Sequence, residues 1–444
     1  MAEWPSVQNP FSTSFGSQPP LLVGRDDELT LIRSGLGSGP GSKHFGTLLV
    51  GQRGYGKTVI LGKMRAEAIE HDWPVIEVNC STGTALAEIE ARARSILTHH
   101  YGSLMGRIAA RVKGGGISVL GTGAYVDIDL SEGGVTSFSD LLVTLGAAAK
   151  EKSQGVLLLM DEMHSLASQD MRVLAATLQH VTNSLDYPVA YIGAGLPQLA
   201  EIIIDDDAIS FFHRCDRLVL GALANCDVAE GLSIPIARYG GELTDRALEE
   251  SVAYVSGYPY KLQMLGHHLW HISAGVEHKI TEEHLEVAKN RVDSELDKHI
   301  YATIWKLVSV PGRNFVQAVL QSGATSTLQD VQRLMKVAMN DVNECKNELA
   351  SHGLVEHDNG DWVSLTDLIP HNVLLRYLAR RPTPNREFAY STATGESASM
   401  RLAALSSAPP PVSTDLVCGL WMPRSRTYCV LPNGHKGRCR SHTP

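Results

Sequence analysis

Three things are scarce in this chain of 444 residues. Basic charge is not in excess: 39 Lys and Arg stand against 48 Asp and Glu, a formal net charge of −9. A polyanion therefore finds no general attraction, and any nucleic-acid contact must rest on a local patch. Long apolar runs are missing as well. Met1 to Pro20 has neither a basic start nor a hydrophobic segment, and no stretch reaches the ~20 residues of a membrane helix. The expectation is a chain with no secretory signal and no membrane partner. Cysteine is sparse: of seven, Cys80, Cys215, Cys226 and Cys345 are scattered. An odd count without regular spacing argues against a disulfide framework and for a reducing, cytoplasmic setting.

What is present is 43% hydrophobic and 20% charged residues, enough for two or three domains with substantial cores. The stretch that organises them is Gly51-Gln52-Arg53-Gly54-Tyr55-Gly56-Lys57-Thr58, a full G-x-x-x-x-G-K-[ST] motif. An apolar strand, Phe45 to Val50, precedes it, and Val59 to Glu70 follows with helical spacing of Ile60, Leu61, Met64, Ala68 and Ile69. Glycines here let backbone N–H groups turn in on phosphate oxygens, and the helix start adds positive potential. Gly51, Gly54, Tyr55, Gly56 and Val59 are the expected loop contacts of a nucleotide. Lys57 is expected on the β and γ phosphates and the Thr58 hydroxyl on Mg²⁺. A second apolar strand, Gly155 to Met160, ends in Asp161-Glu162. Asp161 suits Mg²⁺ through its water shell and Glu162 suits a general base for the attacking water. His164 reads as a structural neighbour of these acids.

Further strands are expected at Trp73–Cys80, Pro188–Gly195 and Arg217–Leu220, and helices at Ala85–His100 and Ser137–Lys150. Asp26 reads as the N-cap of a first helix. Ile117 to Leu130 alternates around Gly121-Thr122-Gly123 as a β-hairpin would. Alternating strands and helices imply an α/β fold with a parallel sheet covered on both faces, its ligands at the carboxyl ends of the strands.

With Val23-Gly24-Arg25-Asp26-Asp27-Glu28-Leu29, Gly193-Ala194-Gly195-Leu196-Pro197 and Gly257-Tyr258-Pro259-Tyr260 added, the chain resembles the AAA+ superfamily of P-loop ATPases. Within it, the likeness is to bacterial and archaeal ATP-binding proteins near origin-recognition ATPases and STAND-type switch NTPases. It covers about residues 5 to 380. The resemblance implies Gly24 and Arg25 beside the adenine and Pro259 in a helical lid over the nucleotide. It also implies a polar sensor at the end of the fourth strand, where this chain has Gly193-Ala194-Gly195 and Gln198 as the nearest polar residue. A lid arginine is implied too, and Lys261 is the closest cation. Arg214 is read either as an arginine finger for a neighbouring subunit or as an ion-pair partner of Asp216 or the surface. These gaps point to ATP binding with slow turnover, a switch more than a motor.

The expected organisation is an arm (1–20), the P-loop core (21–225), the helical lid (226–297), a winged helix (298–380), a disordered linker (381–416) and a basic tail (417–444). In the winged helix, helices are expected at Phe315–Leu320, Leu328–Val337 and Met339–His352, then a hairpin around Asp358-Asn359-Gly360-Asp361. On its third helix Asn340, Asn343 and Asn347 are able to read base edges, while Asp341, Glu344 and Glu348 offset Lys346. The His267, His268 and His271 group lacks the further ligands of a metal site. In the tail, Cys418, Cys429, His435 and Cys439 form C-x₁₀-C-x₅-H-x₃-C, a zinc-binding set with His442 as an alternate. Arg424, Arg426, Lys436, Arg438 and Arg440 make that tail the local patch for DNA or an acidic partner. The functional expectation is an ATP- and Mg²⁺-dependent, slowly hydrolysing regulator associated with DNA, and able to form homo-oligomers. The alternative is a STAND-like signalling switch that uses the winged helix and tail for protein contacts.

Overall fold

A computed structural model describes residues 9–14, 16–104, 137–276, 278–323, 325–355, 361–366, 369–379, 421–422 and 427–428. The chain divides into two compact units, 1–381 and 382–444. Of the second, a short antiparallel pair is described, β10 (Trp421–Met422) with β11 (Thr427–Tyr428). The expected hairpin at 117–130 and the four zinc ligands lie outside the described residues.

The first unit is built on five parallel strands: β1 (Gly46–Gly51), β2 (Val75–Asn79), β3 (Val156–Asp161), β4 (Val189–Gly195) and β5 (Asp216–Leu220). Their order is β2-β3-β4-β1-β5. Every residue of β4 is buried, as a strand covered on both faces demands, and so its sequence is an unbroken apolar run. Side chains alternate between faces. Leu49, Leu157, Leu159 and Ile192 meet α1 (Asp26–Ser38) and α2 (Lys57–Glu70) through Leu29, Ile32, Ile60, Leu61 and Met64. Leu48, Leu158 and Tyr191 face the other way, onto α3 (Ala85–His99) and α4 (Phe138–Glu151) through Ile89, Leu141 and Leu145. Each fully buried leucine or isoleucine contributes about 1.5–3 kcal/mol, so these two layers hold the strand ends in place. The register sets Asn79 opposite Asp161 and Val50 opposite Gly195, which brings the phosphate loop, the two acids and the end of β4 to one edge.

Helix ends differ in detail from the sequence reading. Asp26 is the first helical residue of α1, and the cap position is Arg25, whose side chain caps nothing because it is drawn inward. Ser137 caps α4 reciprocally with Asp140: its Oγ accepts from the Asp140 N–H at 3.2 Å, and Asp140 Oδ2 accepts from the Ser137 N–H at 3.2 Å. α5 (Ser168–Leu178), α6 (Gln198–Ile204) and α7 (Ser210–Arg214) complete the layers.

After β5 come α8 (Asn225–Arg238), α9 (Asp245–Val255), α10 (Pro259–Ile272) and α11 (Glu282–Leu296), with a two-residue parallel pairing of β6 (Glu242–Leu243) and β7 (Lys279–Ile280). A π-turn over Asp297–Tyr301 leads into α12 (Ala302–Leu307), α13 (Val310–Ser322), β8 (Thr325–Thr327), α14 (Leu328–Met335), α15 (Met339–Ser351), β9 (Trp362–Ser364) and α16 (His371–Ala379). β8 and β9 pair antiparallel, and Val355 bridges Leu365. One apolar core runs from Val228 through Leu269, Leu296 and Phe315 to Tyr377, so the helices on both sides of the π-turn share an interior.

α13 starts at Val310, five residues before the expected Phe315, because Ser309 caps it: its Oγ accepts from the Gly312 N–H at 3.0 Å. Glu348 of α15 accepts from the Ser309 N–H and Oγ–H, both at 2.6 Å. Lys346 is buried. Lys346 is therefore off the solvent face, which carries Asn340, Asp341, Asn343, Glu344 and Asn347, and the half-buried Glu348 is engaged with Ser309.

The arm lies across the junction of α2 and α10. Phe11 is buried in the helical core against Gly266, where an added Cβ would strike its ring. Asn9 Nδ2 donates to the His267 carbonyl at 3.0 Å, the Tyr260 hydroxyl to the Thr13 carbonyl at 3.2 Å, and Gln18 Nε2 to the Val59 carbonyl at 2.9 Å.

Candidate nucleotide site

The loop after β1 turns because Gly54 and Gly56 adopt left-handed backbone, φ +80° and +91°. Gly56 is the N-cap of α2 and leaves open space where another residue would carry Cβ. At Gly54 an added Cβ would run into the Tyr258 hydroxyl, which itself donates to the Arg53 carbonyl at 3.2 Å. The loop is thus clamped by the segment leading into α10, and Tyr55 adds a ring contact to Tyr258 at 5.5 Å.

Lys57 is the first residue of α2 and only 7% exposed. Its Nζ donates to the carbonyls of Gly51 (2.7 Å) and Gln52 (3.0 Å). An ammonium has three donors, so one remains for an anion. Burial lowers its pKa to about 8, against the opposing pull of Glu162 and Asp161. A buried cation of this kind is stabilised by a polyanion brought beside it.

Thr58 Oγ1 donates to Asp161 Oδ2 at 2.7 Å, joining the loop to the end of β3. A hydroxyl and a carboxylate are the hard oxygen donors that suit Mg²⁺, so the residues present fit that ion. Asp161 Oδ1 accepts from the Glu162 N–H at 2.8 Å. Glu162 has φ +54° and ψ +36°, a left-handed conformation rare for a residue with Cβ and costing about 1–3 kcal/mol. That kink turns the Glu162 carboxylate toward His164, whose Nε2 lies 3.3 Å from Glu162 Oε2. On the other side of the ring, Nδ1 accepts from the Leu196 N–H at 3.3 Å. Burial lowers the His164 pKa, and the lone pair that Nδ1 presents to the Leu196 N–H puts the proton of the neutral ring on Nε2.

Arg25 is 6% exposed and ties three backbone segments together. It donates to the carbonyls of Gly24 (3.0 Å), Tyr55 (3.4 Å) and Gly221 (2.6 Å), with Glu28 at 3.8 Å. Burial lowers its pKa, opposed by Glu28 and Asp227.

These groups line one cavity of about 720 Å³, within the range of small-molecule sites. Arg25, Gly54, Tyr55, Gly56, Lys57, Thr58, Val59, Asp161, Glu162 and Pro259 all face it. Gly24 and Gly51 adjoin it through Arg25 and the Lys57 bond. Arg214 is not brought there: it is exposed and precedes Asp216, which pairs with Thr47 at the far end of β1. Asp216 faces Lys43 and His44 instead. Lys261 is engaged too, donating to the Tyr254 carbonyl at 2.6 Å and lying 3.8 Å above that ring. Gln198 is not among the lining residues. Sequence reasoning missed the arm residues Ser12, Ser14 and Pro19, the π-turn residue His299, Asn79, and the part played by His164. Only the position of His164 three residues after Asp161 was a usable signal.

Residues 21–192 match the family described as AAA ATPase domain. No curated protein matches the sequence. Among solved structures, the Walker-type ATPase PABY2304 of Pyrococcus abyssi is similar in fold, at 16% identity and a TM-score of 0.54, over 80% of this chain and 96% of that one. The ORC2 protein of Aeropyrum pernix, in ADPNP–ADP complexes, is similar at 14% identity and a TM-score of 0.56, over 82% and 96%. No helix of the described residues is long and apolar enough to cross a membrane. Residues 21–192 are thus similar to the AAA ATPase domain family, and the five-stranded parallel-sheet fold is similar to that of these solved structures.

Proposed function

We propose that the protein binds ATP with Mg²⁺ and hydrolyses it slowly, as a switch that couples the nucleotide to its C-terminal helices. The observation that carries this reading is the convergence of Lys57, the Thr58–Asp161 pair and Glu162 on one cavity. Lys57 and the loop N–H groups would bind the β and γ phosphates, and Thr58 and Asp161 would hold Mg²⁺. Bound there, the ion supplies charge neutralisation on the phosphate oxygens. Glu162 would accept a proton from the attacking water as the water oxygen bonds to the γ phosphorus. The bond to the bridging oxygen then breaks, and ADP leaves with the electron pair. Turnover is slow because Lys261 is held by Tyr254 and Arg214 sits at the far end of the sheet. Arg214 would serve the site of a second copy, and phosphate release per chain that rises with protein concentration checks this.

The switch reading rests on the loop itself. The Gln52 side chain abuts Gly353 at the end of α15, and Arg53, Leu196, Ile304 and His352 line the seam. The order helix, strand, two helices, antiparallel pairing over 310–366 supports a winged helix at that seam. E162Q tests the catalytic assignment. Phosphate release falls about a hundredfold while ATP affinity is kept; unchanged release would reduce the protein to a nucleotide-binding scaffold. A DNA-associated role is a second reading, favoured by Asn340, Asn343 and Asn347 exposed at one helical face of α15.

A further inference from the structure

We propose that His164 is a positioning residue for hydrolysis, linking the end of β4 to the Glu162 carboxylate and choosing which of its oxygens takes the proton from water. The inference rests on the ATPase reading above. Three observations carry it. The imidazole is held on one side by the Leu196 N–H on Nδ1, and on the other its Nε2 lies 3.3 Å from Glu162 Oε2. Its side chain is 8% exposed, whereas that of Glu162 is 34% exposed, so the ring is the fixed member and the carboxylate the guided one. The end of β4 has no room for a polar side chain of its own. An added Cβ at Gly195 would approach Leu199 Cδ2 to 2.7 Å, and one at Gly193 would meet Met163 Sδ at 2.8 Å. The polar link from this strand to the catalytic acid therefore comes from the imidazole after β3.

The proton arrangement follows from the bonds. An N–H pointing at Nδ1 requires a lone pair there, so the ring proton is on Nε2, 3.3 Å from Oε2 and within reach of it. Oε1 is then the oxygen left for water. Together with the left-handed backbone of Glu162, this approach would orient the carboxylate without engaging its second lone-pair set. His164 itself neither gains nor loses a proton in the step.

Three substitutions in the full chain separate positioning from mere support. His164→Asn keeps an acceptor for the Leu196 N–H but does not reach Glu162. His164→Gln places an N–H donor near the position of Nε2. His164→Ala removes both. With saturating ATP and Mg²⁺, kcat falls roughly tenfold or more in the Ala and Asn variants and returns to within about threefold of wild type in Gln. Equilibrium titration gives an unchanged Kd for ATP in all three, and His164→Ala adds no further loss on top of E162Q. An Asn variant as active as wild type, a Gln variant as slow as Ala, or a full additional loss in the E162Q background overturns the inference alone. Wild-type turnover no higher than that of K57A overturns the ATPase reading, and this inference with it.

Discussion

Lys57 and Lys346 are each 7% exposed, and they sit in opposite surroundings. Lys57 opens a helix beside a cavity, with Asp161 and Glu162 across from it and two loop carbonyls holding its ammonium. Lys346 lies on α15 among helices whose interior is apolar, one turn before Leu349 and Ala350 and two residues before Glu348, the acid that braces the cap of α13. Burial of charge is thus no marker of function by itself. What distinguishes Lys57 is the cavity it lines: a buried charge that faces such a space is available to a ligand, and burial alone does not make it so.

The sharpest break of this comparison is K57A against K346A. Losing the charge-assisted contacts of Lys57 weakens ATP binding by roughly a hundredfold or more, read by equilibrium titration, because each such bond is worth about 1.5–3 kcal/mol. K346A leaves ATP affinity within about twofold and lowers the urea midpoint instead. Equal effects of the two on affinity would erase the distinction. Smaller is the effect of E348A. It removes both acceptors for Ser309 and costs about 1 kcal/mol of unfolding free energy, with phosphate release unchanged. A turnover defect in E348A would place the helices after 310 inside the catalytic machinery. Smallest is N343A, on the exposed face of α15. If duplex DNA docks there, affinity at low salt drops about fivefold, since a base contact is worth about 1–3 kcal/mol. No measurable duplex binding by the unaltered protein, with or without ATP, would remove the DNA-associated reading.

The phosphate loop, the paired acids and all five strands were legible within a residue or two, because each is a local pattern. A glycine-and-lysine loop between an apolar strand and an amphipathic helix has few other uses, and a buried strand must be apolar on both faces. Roles that depend on distant partners were not legible. His164 meets Leu196 only because β3 and β4 are neighbours in the sheet. Glu348 read as an acid offsetting Lys346, yet it serves Ser309, 39 residues earlier. Arg214 is close in sequence to β5, but a parallel strand carries its two ends to opposite edges, and this one begins at the edge away from the loop. The arm, rich in Ser, Pro and Gly, shows no periodicity; only Phe11 marks where it enters the core.

That phenylalanine has a mechanical consequence. It is anchored under α10 by Gly266, while Gln18, seven residues on, is bonded to the Val59 carbonyl of α2. Seven residues of extended chain reach about 24 Å. The two helices are therefore on a leash of that length. A swing of α10 beyond it must either break the Gln18 bond or extract the ring from the core at about 2–3 kcal/mol.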